Sequence, residues 1–122
     1  MFTANALYGK LAVANLTTTS NTSIVTNAAD SNTVIRLNSL NLTNYTNGST
    51  NGTVSWFDQP GAAGNAFHIV RNVTVPAYST LTVINKDSVY YVEEGKSIGV
   101  TAAAANTLTA TASYEIIDAS AV

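Results

Sequence analysis

The sequence contains no cysteine. That excludes disulfides, thiolate zinc sites, iron–sulfur clusters and cysteine nucleophiles together, and it leaves the redox compartment open. Charge is also scarce: 10% of residues are charged, against about 25% in ordinary globular chains. The five basic residues are Lys10, Arg36, Arg71, Lys86 and Lys96, and the net charge is −2. A nucleic-acid binder that works through a basic surface is therefore excluded. No apolar run approaches the roughly 18 residues of a membrane helix. The longest weakly apolar run, 100–105, is broken by Thr101. The opening residues Met1-Phe2-Thr3-Ala4-Asn5 lack the positive region and apolar segment of a secretory leader, so no signal peptide is expected. There is one histidine, His68, and no G-x-S-x-G, G-x-G-x-x-G, P-loop or D-x-D-x-D-G calcium pattern.

Neutral polarity stands where charge is missing. Thr, Ser and Asn make up about a third of the chain, beside a hydrophobic share of 46%. That share suffices for a core and argues against a disordered tail. At 122 residues the chain reads as one domain, 1–122. A surface with so little charge gives copies little mutual repulsion, which suits a subunit packed among others better than a free monomer.

The regular stretches are strand-like. Thr and Val dominate them, and Gly and Pro interrupt them. Leu108, Ala110, Ala112, Tyr114 and Ile116 alternate with Thr109, Thr111, Ser113 and Glu115, and Ile98, Val100 and Ala102 alternate before them. These two runs are expected to form a β-hairpin with its loop at 103–107. Phe67, Ile69, Val73 and Val75 fit one strand face with Arg71 as an exception, and Pro76 ends that ladder. Leu81 and Val83 mark another strand. Residues 89–92 form a short one with both faces expected to be covered, closed by Glu93-Glu94-Gly95-Lys96 with Gly95 at positive φ.

In the first half, Ile35 and Leu37 alternate in one phase and Leu40 and Leu42 in the other, so a β-bulge is expected at Asn38-Ser39. Residues 44–52 read as an exposed loop tip, 59–64 as a second loop, and Val54, Trp56 and Phe57 as the strand between them. Stretches 15–19 and 21–25 are weaker strand candidates. Short strands separated by turn chemistry imply an all-β fold, a single antiparallel β-sandwich, Ig-like or jelly-roll-like.

Candidate chemistry is sparse. His68 shares its expected strand face with Val70, Asn72 and Thr74, and no carboxylate neighbours it in sequence. A serine nucleophile would have only His68 as its base. Glu93 and Glu94 are adjacent, and strand neighbours point to opposite sides, so they do not converge as a catalytic pair. Asp30, Asp58, Asp87 and Asp118 lie beside turn formers, where Asp stabilises local backbone. No enzymatic activity, metal or cofactor is expected. Seven N-x-S/T triplets follow from composition in a chain with no expected leader. The pairs Thr17/Thr19 and Thr109/Thr111 are too few for a flat ice-binding face. Tyr45, Trp56, Phe57, Phe67, Tyr90 and Tyr91 could form a sugar-stacking platform, and a sandwich core demands large rings as well.

The stretches His68 to Leu81, Tyr90 to Ile98, Ala102 to Asn106 and Ser113-Tyr-Glu-Ile together resemble a family of small tailed-phage virion proteins. Lys96 stands where that family commonly has Asp, and Asn27-Ala28-Ala29 where a Pro-containing turn is common. The resemblance implies a β-sandwich and a non-enzymatic virion role, as a capsid decoration or cement subunit or as an accessory tail, neck or baseplate component. The expected partners are the major capsid protein and copies of the chain itself, as a homotrimer or other small oligomer. The expected location is the virion, assembled in the host cytoplasm. A carbohydrate-binding module for host attachment is the rival reading. Residues 1–13, carrying Phe2, Leu7, Tyr8 and Leu11, are the candidate partner contact, as an arm or an edge strand.

Overall fold

The computed structural model describes residues 7–118. They form strands β1 (Leu7–Asn15), β2 (Thr22–Asn27), β3 (Thr33–Asn44), β4 (Thr50–Gln59), β5 (Ala63–Val75), β6 (Thr80–Ile84), β7 (Tyr90–Val92), β8 (Lys96–Ala102) and β9 (Leu108–Asp118). One antiparallel sheet runs β1-β9-β3-β6, with β7 also on β3, and the other runs β2-β8-β4-β5. β6 pairs with Leu40 to Thr43 and β7 with Ile35 to Leu37, so the two act as one interrupted strand along β3. The resulting strand order is that of a jelly roll.

Nearly every connection crosses from one sheet to the other. Only β4 and β5 form a hairpin within a sheet. The expected hairpin of 98–102 with 108–116 is therefore corrected: β8 and β9 lie in different sheets. Both strands alternate because each covers one side of the shared core, and a short loop serves a crossing as well as a hairpin. Stretch 15–19 is also corrected. Beyond Asn15 it is loop, and it drops Leu16 into the core at 1% exposure. The loop expected at 44–52 shrinks to 45–49, because Asn44, Thr50 and Gly52 are buried strand residues.

The core lies between the sheets. Leu37, Leu40, Leu42 and Ala112 meet Val54, Val75, Ile98 and Val100 there, all fully buried. The phase change in β3 occurs where the sequence placed it, as a register shift between Leu37 and Ser39. β2 has a similar shift between Ser23 and Val25, which buries the adjacent Ile24 and Val25. At the sandwich ends, two buried asparagines tie loops to strands. Asn27 donates to the carbonyls of Thr33 (2.9 Å) and Val92 (3.0 Å), and its oxygen accepts from Ser31 and Thr33 hydroxyls. Asn44 does the same at the other end, bonding Gly48, Val75 and Thr46. Each satisfies its own amide, as burial requires.

The outer face of the four-stranded sheet is partly roofed. The loop after β4 folds back, with Ala62 N–H on Ser97 Oγ (2.8 Å), Ser97 Oγ on the Gln59 carbonyl (2.7 Å) and Gly61 N–H on Thr26 Oγ1 (2.9 Å). Beneath it Phe57 is 3% exposed and lies over Gly99, where an added methyl would come within 2.6 Å of the ring.

Candidate functional site: an edge strand and an aromatic cleft

Two surface features stand out, at opposite edges of the five-stranded sheet. The first is β1, which ends that sheet beside β9. Its inward residues Ala12 and Ala14 face Ala112 and Ala110. Leu11 and Val13 face outward instead, at 65% and 61% exposure. A strand that existed only to close the core would carry these the other way round. Of the expected contact residues, Leu7, Tyr8 and Leu11 lie on β1, and Phe2 lies outside the described residues.

The sheet beside this strand is uncharged. Register aligns Leu11 with Ser113 and Ser39, Val13 with Thr111, Asn41 and Thr82, and Asn15 with Thr109, Thr43 and Thr80. Thr109 Oγ1 donates to Asn15 Oδ1 (2.7 Å), and the Thr43 and Thr80 hydroxyls are 3.0 Å apart. Charge returns toward one end, where the exposed Lys10 of β1 pairs in register with Tyr114, Arg36 lies 3.9 Å from Glu115 and Asn38 Nδ2 donates to Glu115 Oε1 (2.9 Å). Thr109 and Thr111 thus join a four-strand array that no single stretch of sequence reveals.

The second feature is an open cleft of about 490 Å³ between β5, the edge of one sheet, and β7, at the edge of the other. Trp56, Phe67, His68, Ile69, Tyr90, Tyr91 and Glu93 line it. Four of the six candidate platform rings therefore converge. Tyr45 lies in the loop at the β3–β4 end, and Phe57 lies under the roofing loop. Trp56 and Phe67 are register partners with ring centroids 5.7 Å apart and planes tilted by 55°. The Lys96 ammonium lies 5.7 Å from the Trp56 ring and donates to the Asp58 carbonyl (3.3 Å). The tyrosines of β7 are exposed, which corrects the expectation that both faces of 89–92 are covered: only Val92 is buried there.

Irregular pairing of β5 builds this cleft. Its register to β4 shifts at three places. Val70 pairs with Val54 and His68 with Ser55, so Ile69 is an extra residue, and both Ile69 and Val70 pack on the core. A second extra residue lies between Val70 and Val73, where Asn72 has φ 54° and its N–H bonds Thr53 Oγ1 (2.9 Å). The single-face reading of Phe67, Ile69, Val73 and Val75 is corrected accordingly, as is the shared face of His68, Val70, Asn72 and Thr74. Bulges re-aim side chains in this way, and Arg71 is the exception because it sits in one.

His68 bonds Ser55 Oγ through Nδ1 (2.7 Å). In acyl-transfer triads the serine meets Nε2 and an acid holds Nδ1. Here the ring is reversed, Ser55 is 4% exposed, and no carboxylate among the described residues hydrogen bonds the imidazole. The pair orients His68. Of the two adjacent glutamates, Glu93 lines the cleft and Glu94 does not. Asp58 caps the turn into β5, accepting from Asn65 N–H (2.8 Å) and Nδ2 (3.1 Å). Among the described residues no group of three or more His, Cys, Asp or Glu side chains could hold a metal ion. Among the described residues no helix is long and apolar enough to cross a membrane.

No protein-family model matches the sequence, and no curated protein matches it. Among solved structures, a chain from Bacillus endospore appendages, described as a novel family of disulfide-linked pili, superposes with a TM-score of 0.48 at 12% identity, over 91% of this chain and 86% of that one. A chain of the infectious bursal disease virus Gt strain superposes with a TM-score of 0.41 at 10% identity, over 94% of this chain and 31% of that one. Neither likeness assigns a role to this chain.

Proposed function

We propose that the protein is a non-enzymatic structural subunit of a tailed-phage virion, a decoration or cement protein that staples the shell. In this reading it contacts the major capsid protein and its own copies, as a homotrimer or other small oligomer, through the β1 side. The observation that carries the reading is the reversed strand β1, with alanines inside and Leu11 and Val13 outside. The uncharged rows beside it extend the same surface without ions to desolvate. The phage setting comes from the sequence resemblance of residues 67–118. The fold does not choose, since jelly rolls serve capsids and lectins alike.

The mechanism is passive. Burying an exposed Leu or Val contributes about 1.5–3 kcal/mol per side chain before the costs of association. One such contact is weak, and many copies on one shell add up. The same surface would serve an accessory tail, neck or baseplate protein, and copy number separates the two. Cryo-electron microscopy of purified particles is the test. Density at local threefold or pentamer–hexamer joints over the whole shell is the expected result. Density confined to the tail axis would move the protein to the connector or baseplate class, and absence from every particle would end the virion reading. In the same particles, a Leu11→Lys/Val13→Lys double variant is expected to keep the wild-type melting temperature and lose its place on the shell.

A further inference from the structure

We propose that the cleft between β5 and β7 is a saccharide-binding site for neutral oligosaccharides of hexose or N-acetylhexosamine units. Phe67 is 55% exposed, Tyr91 54% and Tyr90 37%, and all three border this cleft. Edge strands in soluble proteins are usually blunted with charge, above all lysine. Where they line the cleft, the two edges carry aromatic rings, on strands from opposite sheets, and the one basic residue of β5, Arg71, does not line it. Exposed rings gathered at one place mark a binding surface more than scattered ones do.

The chemistry of the rim selects the ligand class. A pyranose has a face of C–H groups and a rim of hydroxyls. Ring faces take the first, and a mixture of donors and acceptors takes the second. The cleft supplies both. Glu93 offers a carboxylate acceptor, the two tyrosines offer phenols that donate and accept, and His68 offers Nε2, because Nδ1 is held by Ser55 at 2.7 Å. That hydrogen bond fixes the imidazole before a ligand arrives, which lowers the ordering cost of binding. The Trp56 ring is fixed likewise, by Phe67 on the paired strand and by the Lys96 ammonium. The volume of about 490 Å³ falls in the range of roughly 300–1,000 Å³ seen for small-molecule sites. The mouth is open, so a chain of sugars can pass through it.

Charge removes the competing stacked ligands. A single-stranded nucleic acid would bring phosphates to Glu93 without a basic groove to receive them. Sialylated or sulfated glycans meet the same carboxylate, and the Lys96 ammonium beside Trp56 is already engaged by that ring and by the Asp58 carbonyl. The site does not depend on the virion reading. It sits at the sheet edge opposite β1, so a subunit docked through Leu11 and Val13 keeps the cleft open to solvent. Copies arrayed on one particle would then multiply a weak site into firm attachment.

The test is a glycan array probed with the labelled full chain, with proline-rich peptides printed beside the sugars. Neutral or N-acetylated glycans are expected to bind. Phe67→Ala and Tyr91→Ala should each weaken binding about tenfold or more, and Tyr45→Ala, an exposed ring outside the cleft, should leave it unchanged. Titration of the wild-type protein with the best glycan should move the NMR signals of Phe67, His68, Tyr90 and Tyr91. That measurement stands even where a variant fails to fold. Binding to no glycan, binding only to anionic glycans or to the peptides, or signal shifts elsewhere on the surface would overturn the proposal.

Discussion

Asn44 offers the sharpest test of how a neutral polar chain holds its loops. The residue is 1% exposed. Its amide donates to the carbonyls of Gly48 (2.8 Å) and Val75 (3.0 Å), and its oxygen accepts from Thr46 N–H (2.9 Å) and Oγ1 (2.7 Å). Asn44→Ala deletes all four bonds. Gly48 is exposed and Thr46 half-buried, so their groups regain water, at a net loss of about 0.5–1.5 kcal/mol each. Val75 is fully buried, so its carbonyl stays dry, which costs about 1–3 kcal/mol. These terms share one side chain and do not simply add, so the expected loss is about 3–4 kcal/mol. That is a large part of the roughly 5–15 kcal/mol that holds a domain folded. For a chain of this size it lowers Tm by about 10–15 °C. Asn44→Asp keeps the shape and the acceptor for Thr46, but it sets a carboxylate oxygen against two carbonyls. It is expected to destabilise at least as much as alanine. Thermal and urea unfolding followed by circular dichroism would read both variants, with the exposed Asn47→Ala as a control expected to shift stability by less than about 0.5 kcal/mol. An Asn44→Asp protein that melts within about 2 °C of wild type would refute the account, because the two donated bonds would then contribute nothing.

Two further outcomes follow from close contacts and backbone strain. Gly99→Ala drives a methyl toward Phe57 at 2.6 Å and the Ala62 methyl at 2.9 Å. It is expected to cost about 1–3 kcal/mol and to speed proteolysis of the loop between β4 and β5; unchanged cleavage there would mean the loop does not rest on Phe57. Tyr78 holds φ 55° in a turn closed by Ser79 N–H on the Pro76 carbonyl (3.2 Å), a backbone that favours glycine. Tyr78→Gly should be more stable than Tyr78→Val by about 1–2 kcal/mol in chemical unfolding, and equal midpoints would show that the turn relaxes at no cost.

Some of this protein is local and was readable as such. The phase change between Leu37 and Leu40 needs only the alternation of neighbouring residues, and the β3 shift lies there. Pro76 ends β5 because it has no N–H to give. Gly95 turns at φ 75° because the polar run around it must reverse. Other features depend on distant partners. Asn27 and Asn44 look like any other Asn in a chain full of them until tertiary contacts bury them. The hairpin expected of β8 and β9 failed because alternation reports that a strand has an inner face, not which sheet supplies it.

The sequence by itself determined an all-β sandwich, through alternation, β-branched residues and turn chemistry, and it determined a surface of neutral hydrogen-bonding groups. Only the tertiary structure decided which residues meet. It turned Leu11 and Val13 outward on β1, lined up threonines from three strands beside Asn15 of β1, and brought Trp56, Phe67, Tyr90 and Tyr91 to one cleft while hiding Phe57. The physical reason is the range of the interactions. Strand formation is written in neighbours two residues apart, whereas the cleft depends on β5 slipping register against β4 and on β7 reaching the edge of the other sheet, which no local pattern encodes.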